Sequence, residues 1–152
     1  MPPRPARGYK YDYPRPAVTV DIALVTRAKP LRVLLIQRKN EPVAGAWALP
    51  GGFVDESEPL PVAAARELVE ETGVEAEELE QLHAFGDPGR DPRGWTISVA
   101  FLARVDQAAL RPEAADDARE VKWFSLAKLP ALAFDHAEIL KRVRTRIQDR
   151  TA

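Results

Sequence analysis

The chain contains no cysteine in its 152 residues. That excludes a disulfide framework, a thiolate zinc site and a cysteine nucleophile. Excess charge is also absent: 22 basic side chains against 23 acidic ones leave a net charge of −1. Nothing in this balance calls for DNA, RNA or an anionic membrane surface as a partner. No apolar run approaches spanning length, and the opening MPPRPARGYKYDYPRP carries no apolar signal core. The expectation is a soluble, cytoplasmic protein that neither enters a membrane nor binds nucleic acid.

What is present suffices for one domain with a single full core. Residues 1–16 are dense in proline and tyrosine and poor in aliphatic side chains, so they read as an extended arm ahead of a domain at 17–150. Tyr9, Tyr11 and Tyr13 give that arm a means of packing on a second subunit, which makes a homodimer possible. Ala17 to Thr26 alternates, with Val18, Val20, Ile22 and Leu24 on one side and Thr19 and Asp21 on the other, as a period-two strand does. Further strands are expected over Arg32–Arg38, Leu79–Phe85, Trp95–Val105 and Glu120–Phe124. A final helix begins at Asp135, a good N-cap with Glu138 three residues on, and carries the stripe Ile139, Leu140, Val143, Ile147. Its Lys141, Arg142, Arg144 and Arg146 read as a solvated face.

The informative stretch is GGFVDESEPLPVAAARELVEETGV, Gly51 to Val74. A helix should start near Pro59 or Leu60, because Pro61 is tolerated in a first turn, and stop at Gly73. Leu60, Ala64 and Leu68 form its apolar stripe. Glu67, Glu70 and Glu71 share another face, where like charges repel by a few tenths of a kcal/mol per pair. Hard divalent cations give such a cluster a purpose, since Mg²⁺ takes oxygen ligands and usually a substrate phosphate as well. The paired Gly51-Gly52 allows a close backbone approach or positive φ, and a backbone carbonyl there can reach a ligand.

Written as spacing, the stretch runs Gly52, five residues, Glu58, seven residues, Arg66-Glu67-Leu68, one residue, Glu70-Glu71, one residue, Gly73-Val74. This is a complete Nudix box, and the chain resembles a Nudix hydrolase. Average residue usage makes coincidence roughly 10⁻⁹ per starting point. WALPGG, FGDPGRDPRGW and LAFDHAEIL further resemble the ADP-ribose pyrophosphatase-like branch, a softer match from about Tyr13 to Leu140. The resemblance implies an α/β class fold, an α/β/α sandwich with a mixed sheet between helices. It also implies metal-dependent hydrolysis of a nucleoside diphosphate linked to another moiety, here ADP-ribose to AMP and ribose 5-phosphate, with Mg²⁺ or Mn²⁺ as cofactor.

Residue by residue, Glu67 and Glu71 match the principal metal carboxylates, Glu70 the third, and the Gly51 carbonyl the backbone ligand. Arg66 matches the arginine that orients a box glutamate. Glu58 matches the outlying acid, counted with the substrate side of the site or with support of a metal-bound water. Pro59 and Pro61 depart from the usual spacer, where a cap residue and a glutamate are commoner. A later-loop carboxylate often completes such sites. Asp117, and next Asp116, precede EVKWF where that loop falls, with Glu70 as the competing general base. Arg90 and Arg93, in a Gly/Pro-rich loop, and Arg38 are the candidates for phosphate. Trp47 reads as a packing residue rather than a base platform, His83 as structural, and His136 as a secondary substrate candidate. The expected partner is a small nucleotide. Other Nudix substrates (a triphosphate, a dinucleotide, a nucleotide sugar) and a ligand-binding transcriptional sensor are the alternatives; a whole box on a single domain favours the enzyme.

Overall fold

A computed structural model describes residues 10–151. Tyr9 and the first half of the arm lie outside these; Tyr11 and Tyr13 are exposed, with the Arg15 guanidinium 3.7 Å from the Tyr11 ring centre. Seven strands follow: β1 Ala17–Thr26, β2 Arg32–Arg38, β3 Trp47–Ala48, β4 Gly51–Phe53, β5 Glu80–Phe85, β6 Thr96–Val105 and β7 Ala118–Ser125. Helix α1 spans Leu60–Thr72 and α2 His136–Thr151, with a short 3₁₀ turn at Gln107–Ala109.

The alternation in β1 is real, but it does not separate core from solvent, since the strand is buried from Thr19 to Thr26. Val20, Ile22 and Leu24 pack with Ala63, Ala64 and Leu68 of α1. Ala23 and Val25 pack with Ile139, Leu140, Val143 and Ile147 of α2. A sheet covered by a helix on each face gives the strand two apolar sides, which is the α/β/α sandwich. Each fully buried Leu, Ile or Val contributes about 1.5–3 kcal/mol relative to exposure.

The sheet is mixed. β1 and β6 run parallel in unbroken register from Ala17↔Thr96 to Thr26↔Val105, and the other pairings are antiparallel. β2 and β4 share the remaining edge of β1: β2 meets it at Val25↔Val33, β4 at Thr19↔Phe53 through Asp21↔Gly51. β7 is zipped to β2 along its whole length, from Arg32↔Ser125 to Arg38↔Ala118, and past Val33 β2 pairs with β3 at Ile36↔Ala48 and Gln37↔Trp47. The gap left where β1 and β2 part is where the functional residues gather.

Helix α1 starts without a side-chain cap, at Pro59 (φ −62, ψ 143), and ends at Gly73 in the left-handed region (φ 71), whose N–H returns to the Val69 carbonyl. Pro61 costs no hydrogen bond in the first turn. At α2 the capping expectation fails: both Asp135 oxygens accept from Arg90, at 2.9 and 2.6 Å, and Glu138 lies beside Lys141. The basic face of α2 is also only half solvated. Arg144 donates to the Leu126 carbonyl and Arg146 to Glu80 and the Leu82 carbonyl, fastening the helix to the sheet. Among the described residues, no helix is long and apolar enough to cross a membrane.

Candidate active site

The gap between β1 and β2 holds a cavity of about 480 Å³. Glu67, Glu70 and Glu71 reach it from α1, Gly51–Phe53 from β4, and Arg38 from β2. Arg90, Asp91 and Arg93 come from the loop after β5, Asp116 and Asp117 from the loop before β7, and Phe134 and His136 from the entry to α2.

The two glycines are there for close approach. A β-carbon on Gly52 would lie 2.5 Å from the Glu67 carboxylate, and one on Gly51 would lie 2.1 Å from the Val20 carbonyl oxygen. The Gly51 contact is with backbone and admits only glycine, whereas a side chain at Gly52 would displace the Glu67 carboxylate. The Gly51 N–H donates to Glu71 Oε1 at 2.7 Å, tying strand to helix.

Arg66 organises the carboxylates. Its Nε and Nη2 take both oxygens of Glu58, at 2.7 and 2.9 Å, and Nη1 takes Glu67 Oε1 at 2.8 Å and Glu70 Oε2 at 3.1 Å. Nη2 also donates to the Phe53 carbonyl at 3.1 Å. These charge-assisted bonds, Glu58 foremost, keep Arg66 more firmly protonated than usual and hold Glu58 below the ordinary carboxylate range. Glu58 therefore faces Arg66 and the Asp55 N–H and does not line the cavity. Burial raises Glu67, with Arg66 pulling the other way. Burial pushes Glu71 up to about 8, against the Gly51 N–H and with the charges of Glu67, Asp117 and Asp21 behind it.

This donor set fits a hard cation. Glu71 is 5% exposed and, among the described residues, only one of its oxygens has a protein partner; Arg66 likewise occupies one oxygen each of Glu67 and Glu70. A buried acid left with a free lone pair and a raised pKa is stabilised as the anion by a cation beside it. As the side chains lie, no three acidic or histidine groups among the described residues converge at ligand distances, because Arg66 draws two of them toward itself.

Asp117 reaches the same cavity through backbone anchoring. The Glu113 and Ala115 N–H groups donate to the Thr72 and Glu71 carbonyls, at 2.8 and 3.1 Å, so the loop is fixed to the end of α1. Asp116 turns at φ 50, a conformation Asp tolerates, and Asp117 Oδ1 accepts from Asn40 Nδ2 at 3.2 Å.

The three arginines divide. Arg90, with a side chain 4% exposed, is spent on Asp135, whose two bonds keep it charged despite burial. Arg93 is clamped by Asp91 at 2.7–3.2 Å, and its hydrogen bonds outweigh burial to lower the Asp91 pKa. Its guanidinium lies over Phe53 and Phe134, at 4.8 and 5.1 Å from the ring centres. Arg38 donates through Nε to the Pro42 carbonyl and lies 4.9 Å from the Phe134 ring centre. Burial and neighbouring Arg93 lower the Arg38 pKa. Phe134, at φ 53, holds an uncommon conformation for a bulky residue and stands between these two cations.

Trp47 packs edge-on against Phe124, 4.8 Å between ring centres, as a core residue. His83 is on the solvent side of β5, 3.4 Å from Arg142. His136 is buried: Nδ1 accepts the Leu49 N–H at 3.0 Å, and Nε2 lies 3.4 Å from Asp21 Oδ1. Asp21 and Ser98, neither singled out by sequence spacing, complete this contact. The available signal was an acid at the centre of an otherwise apolar strand.

A mixed sheet between two helices, with this glycine turn and carboxylate helix at its split edge, agrees with the α/β/α sandwich that the box resemblance implies. The NUDIX domain family matches residues 15–143, and the chain belongs to that family, whose hydrolases generally use divalent metal ions. An ADP-ribose pyrophosphatase of Methanocaldococcus jannaschii is 45% identical over 129 residues, covering 85% of this chain and 73% of that protein. An ADP-ribose-responsive transcriptional repressor, NtrR, of Acinetobacter baylyi is 38% identical over 151 residues, 96% of this chain and 60% of the repressor. This chain thus spans about three fifths of that relative's length. Among solved structures, the NUDIX domain of Shewanella oneidensis NrtR complexed with ADP-ribose superposes with a TM-score of 0.81 at 37% identity, over 90% of this chain and 94% of that one.

Proposed function

We propose that this protein hydrolyses the diphosphate linkage of ADP-ribose, giving AMP and ribose 5-phosphate, with Mg²⁺ or Mn²⁺ as cofactor. The observation that carries the reading is that one cavity holds Glu67, Glu70, Glu71 and Asp117 together with Arg38 and Arg93. A diphosphate is already anionic and needs cations on its oxygens before a nucleophile can approach. Glu67, Glu70, Glu71 and the Gly51 carbonyl would hold the metal, which when bound supplies charge neutralisation and water activation. Arg66 keeps Glu67 and Glu70 in place. Asp117, held on one oxygen by Asn40, takes the proton from the attacking water on the other, with Glu70 as the alternative base. Arg93, fixed by Asp91, and Arg38 bind phosphate, and Arg90 shapes their loop through Asp135.

The repressor relative favours a second reading, in which the domain binds ADP-ribose without turning it over. The intact carboxylate set argues for hydrolysis. AMP and phosphate release from ADP-ribose, nucleoside triphosphates, dinucleotides and nucleotide sugars, in Mg²⁺ or Mn²⁺, separates these. ADP-ribose should be preferred. A preferred triphosphate would overturn the substrate, and ADP-ribose binding without turnover in saturating Mg²⁺ would support the sensor. The same reading takes residues 17–150 as the catalytic domain of a cytoplasmic homodimer to which the 1–16 arm contributes. Light scattering with and without residues 1–13 checks the arm.

A further inference from the structure

Three polar side chains far apart in sequence are buried together at the floor of the cavity, with Asp21 and His136 in its wall. Ser98 is 0% exposed, His136 3% and Asp21 7%. Ser98 Oγ donates to Asp21 Oδ2, and Asp21 Oδ1 faces His136 Nε2 at 3.4 Å. The Leu49 N–H donates to His136 Nδ1 at 3.0 Å, so Nδ1 carries no proton and the ring proton sits on Nε2, toward Asp21. Burial lowers the His136 pKa and keeps the ring in this neutral form. Two residues beyond Leu49, the Gly51 N–H donates to Glu71 at 2.7 Å. Asp21 also bounds Gly51 directly, since a β-carbon there would lie 2.5 Å from Asp21 Oδ1.

We propose that Ser98, Asp21 and His136 form a positioning relay that holds the Leu49–Gly51 turn against α1 and thereby aims the Glu71 carboxylate. As mere core filling the trio is a poor choice, because well-packed apolar residues usually replace buried polar or charged groups without loss. Each member also has one job in a contiguous path. Ser98 fixes one oxygen of Asp21, the other oxygen faces the Nε2 side of the ring across 3.4 Å, and the ring holds the backbone of the turn through the Leu49 N–H. Partners that orient a site carboxylate or histidine in this way typically change metal affinity or activity about 10–100-fold when removed. The effect on turnover rests on the hydrolase reading above; the effect on the turn does not.

The test combines amide hydrogen exchange at Leu49 and Gly51 in the metal-free full chain with kcat, KM and the activating Mn²⁺ concentration for ADP-ribose. In His136→Ala both amides should exchange at least about tenfold faster. kcat should fall about 10–100-fold and more Mn²⁺ be needed, with KM within about threefold. His136→Asn, whose side-chain carbonyl replaces the Nδ1 acceptor, should restore protection of both amides and part of kcat. Ser98→Ala should act in the same direction more mildly, and it carries the test if His136→Ala does not fold. Unchanged Gly51 protection in folded variants, or a lowered Tm with wild-type kcat and Mn²⁺ dependence, would overturn the relay. If the wild-type chain turns over no ADP-ribose, the hydrolase reading falls by itself, and Gly51 exchange still decides for or against the relay.

Discussion

Arg90 meets Asp135 through two hydrogen bonds, Nε to Oδ2 at 2.9 Å and Nη2 to Oδ1 at 2.6 Å, joining the loop after β5 to the start of α2. The guanidinium is nearly sealed from solvent. Removing one partner of such a pair leaves the other charge buried and uncompensated, at a cost of about 3–5 kcal/mol. Asp135→Ala, which strands the sealed Arg90 guanidinium, should therefore lower unfolding free energy by about that amount in urea titration. A change below about 0.5 kcal/mol would mean the pair is no more than a surface contact.

The glycine turn gives a second prediction. Gly52→Ala places a methyl group 2.5 Å from the Glu67 carboxylate, so Glu67 must move. The variant should fold, with an overpacking cost of about 1–3 kcal/mol. Its kcat should drop about 10–100-fold as the carboxylate set is displaced. Wild-type kcat would show that Glu67 is not needed where it stands.

A third concerns pH. Folded Glu71 is raised from the ordinary 4.5 to about 8, so between these values the metal-free fold keeps a proton that the unfolded chain releases. Stability must then fall as pH rises through that window. His136, lowered from 6.5, acts oppositely at lower pH, so the clean interval runs from 6.5 to about 8. Metal-free Tm should decline across this interval, and Glu71→Gln should flatten the decline. Metal binding displaces the same proton, so metal affinity should climb with pH by up to about tenfold per unit. A Tm independent of pH there would contradict the burial assigned to Glu71.

Asp117→Asn addresses the base. It keeps the bond from Asn40 and removes the proton acceptor, so kcat should fall about 10²–10⁴-fold with KM little changed. A fall under about threefold would move that role to Glu70.

Much of this was legible because the box is local. Glu67, Glu70 and Glu71 fall on one turn of one helix, and the Gly51-Gly52 pair sits just upstream, so spacing carries their chemistry. The division of labour between Arg90 and Arg93 was not legible, because a Gly/Pro loop with arginines resembles a phosphate loop whether or not an arginine there already has a partner. Asp91 lies two residues from Arg93 and its pairing is local, whereas Asp135 lies 45 residues from Arg90 and spacing gave no sign of it. The Ser98–Asp21–His136 contact was equally hidden, because tertiary packing brings together residues from β1, β6 and α2. Likewise the alternation of β1 could not distinguish a strand facing water from one covered by a helix on each side.

The most direct test is AMP release from ADP-ribose in saturating Mg²⁺ or Mn²⁺, comparing the wild-type chain with Glu71→Gln. The variant retains the size of the side chain and removes its charge. Wild-type turnover that requires the divalent cation, reduced about 10²-fold or more in a folded Glu71→Gln, is the predicted result. Metal-independent turnover, or equal rates in the two proteins, would contradict it.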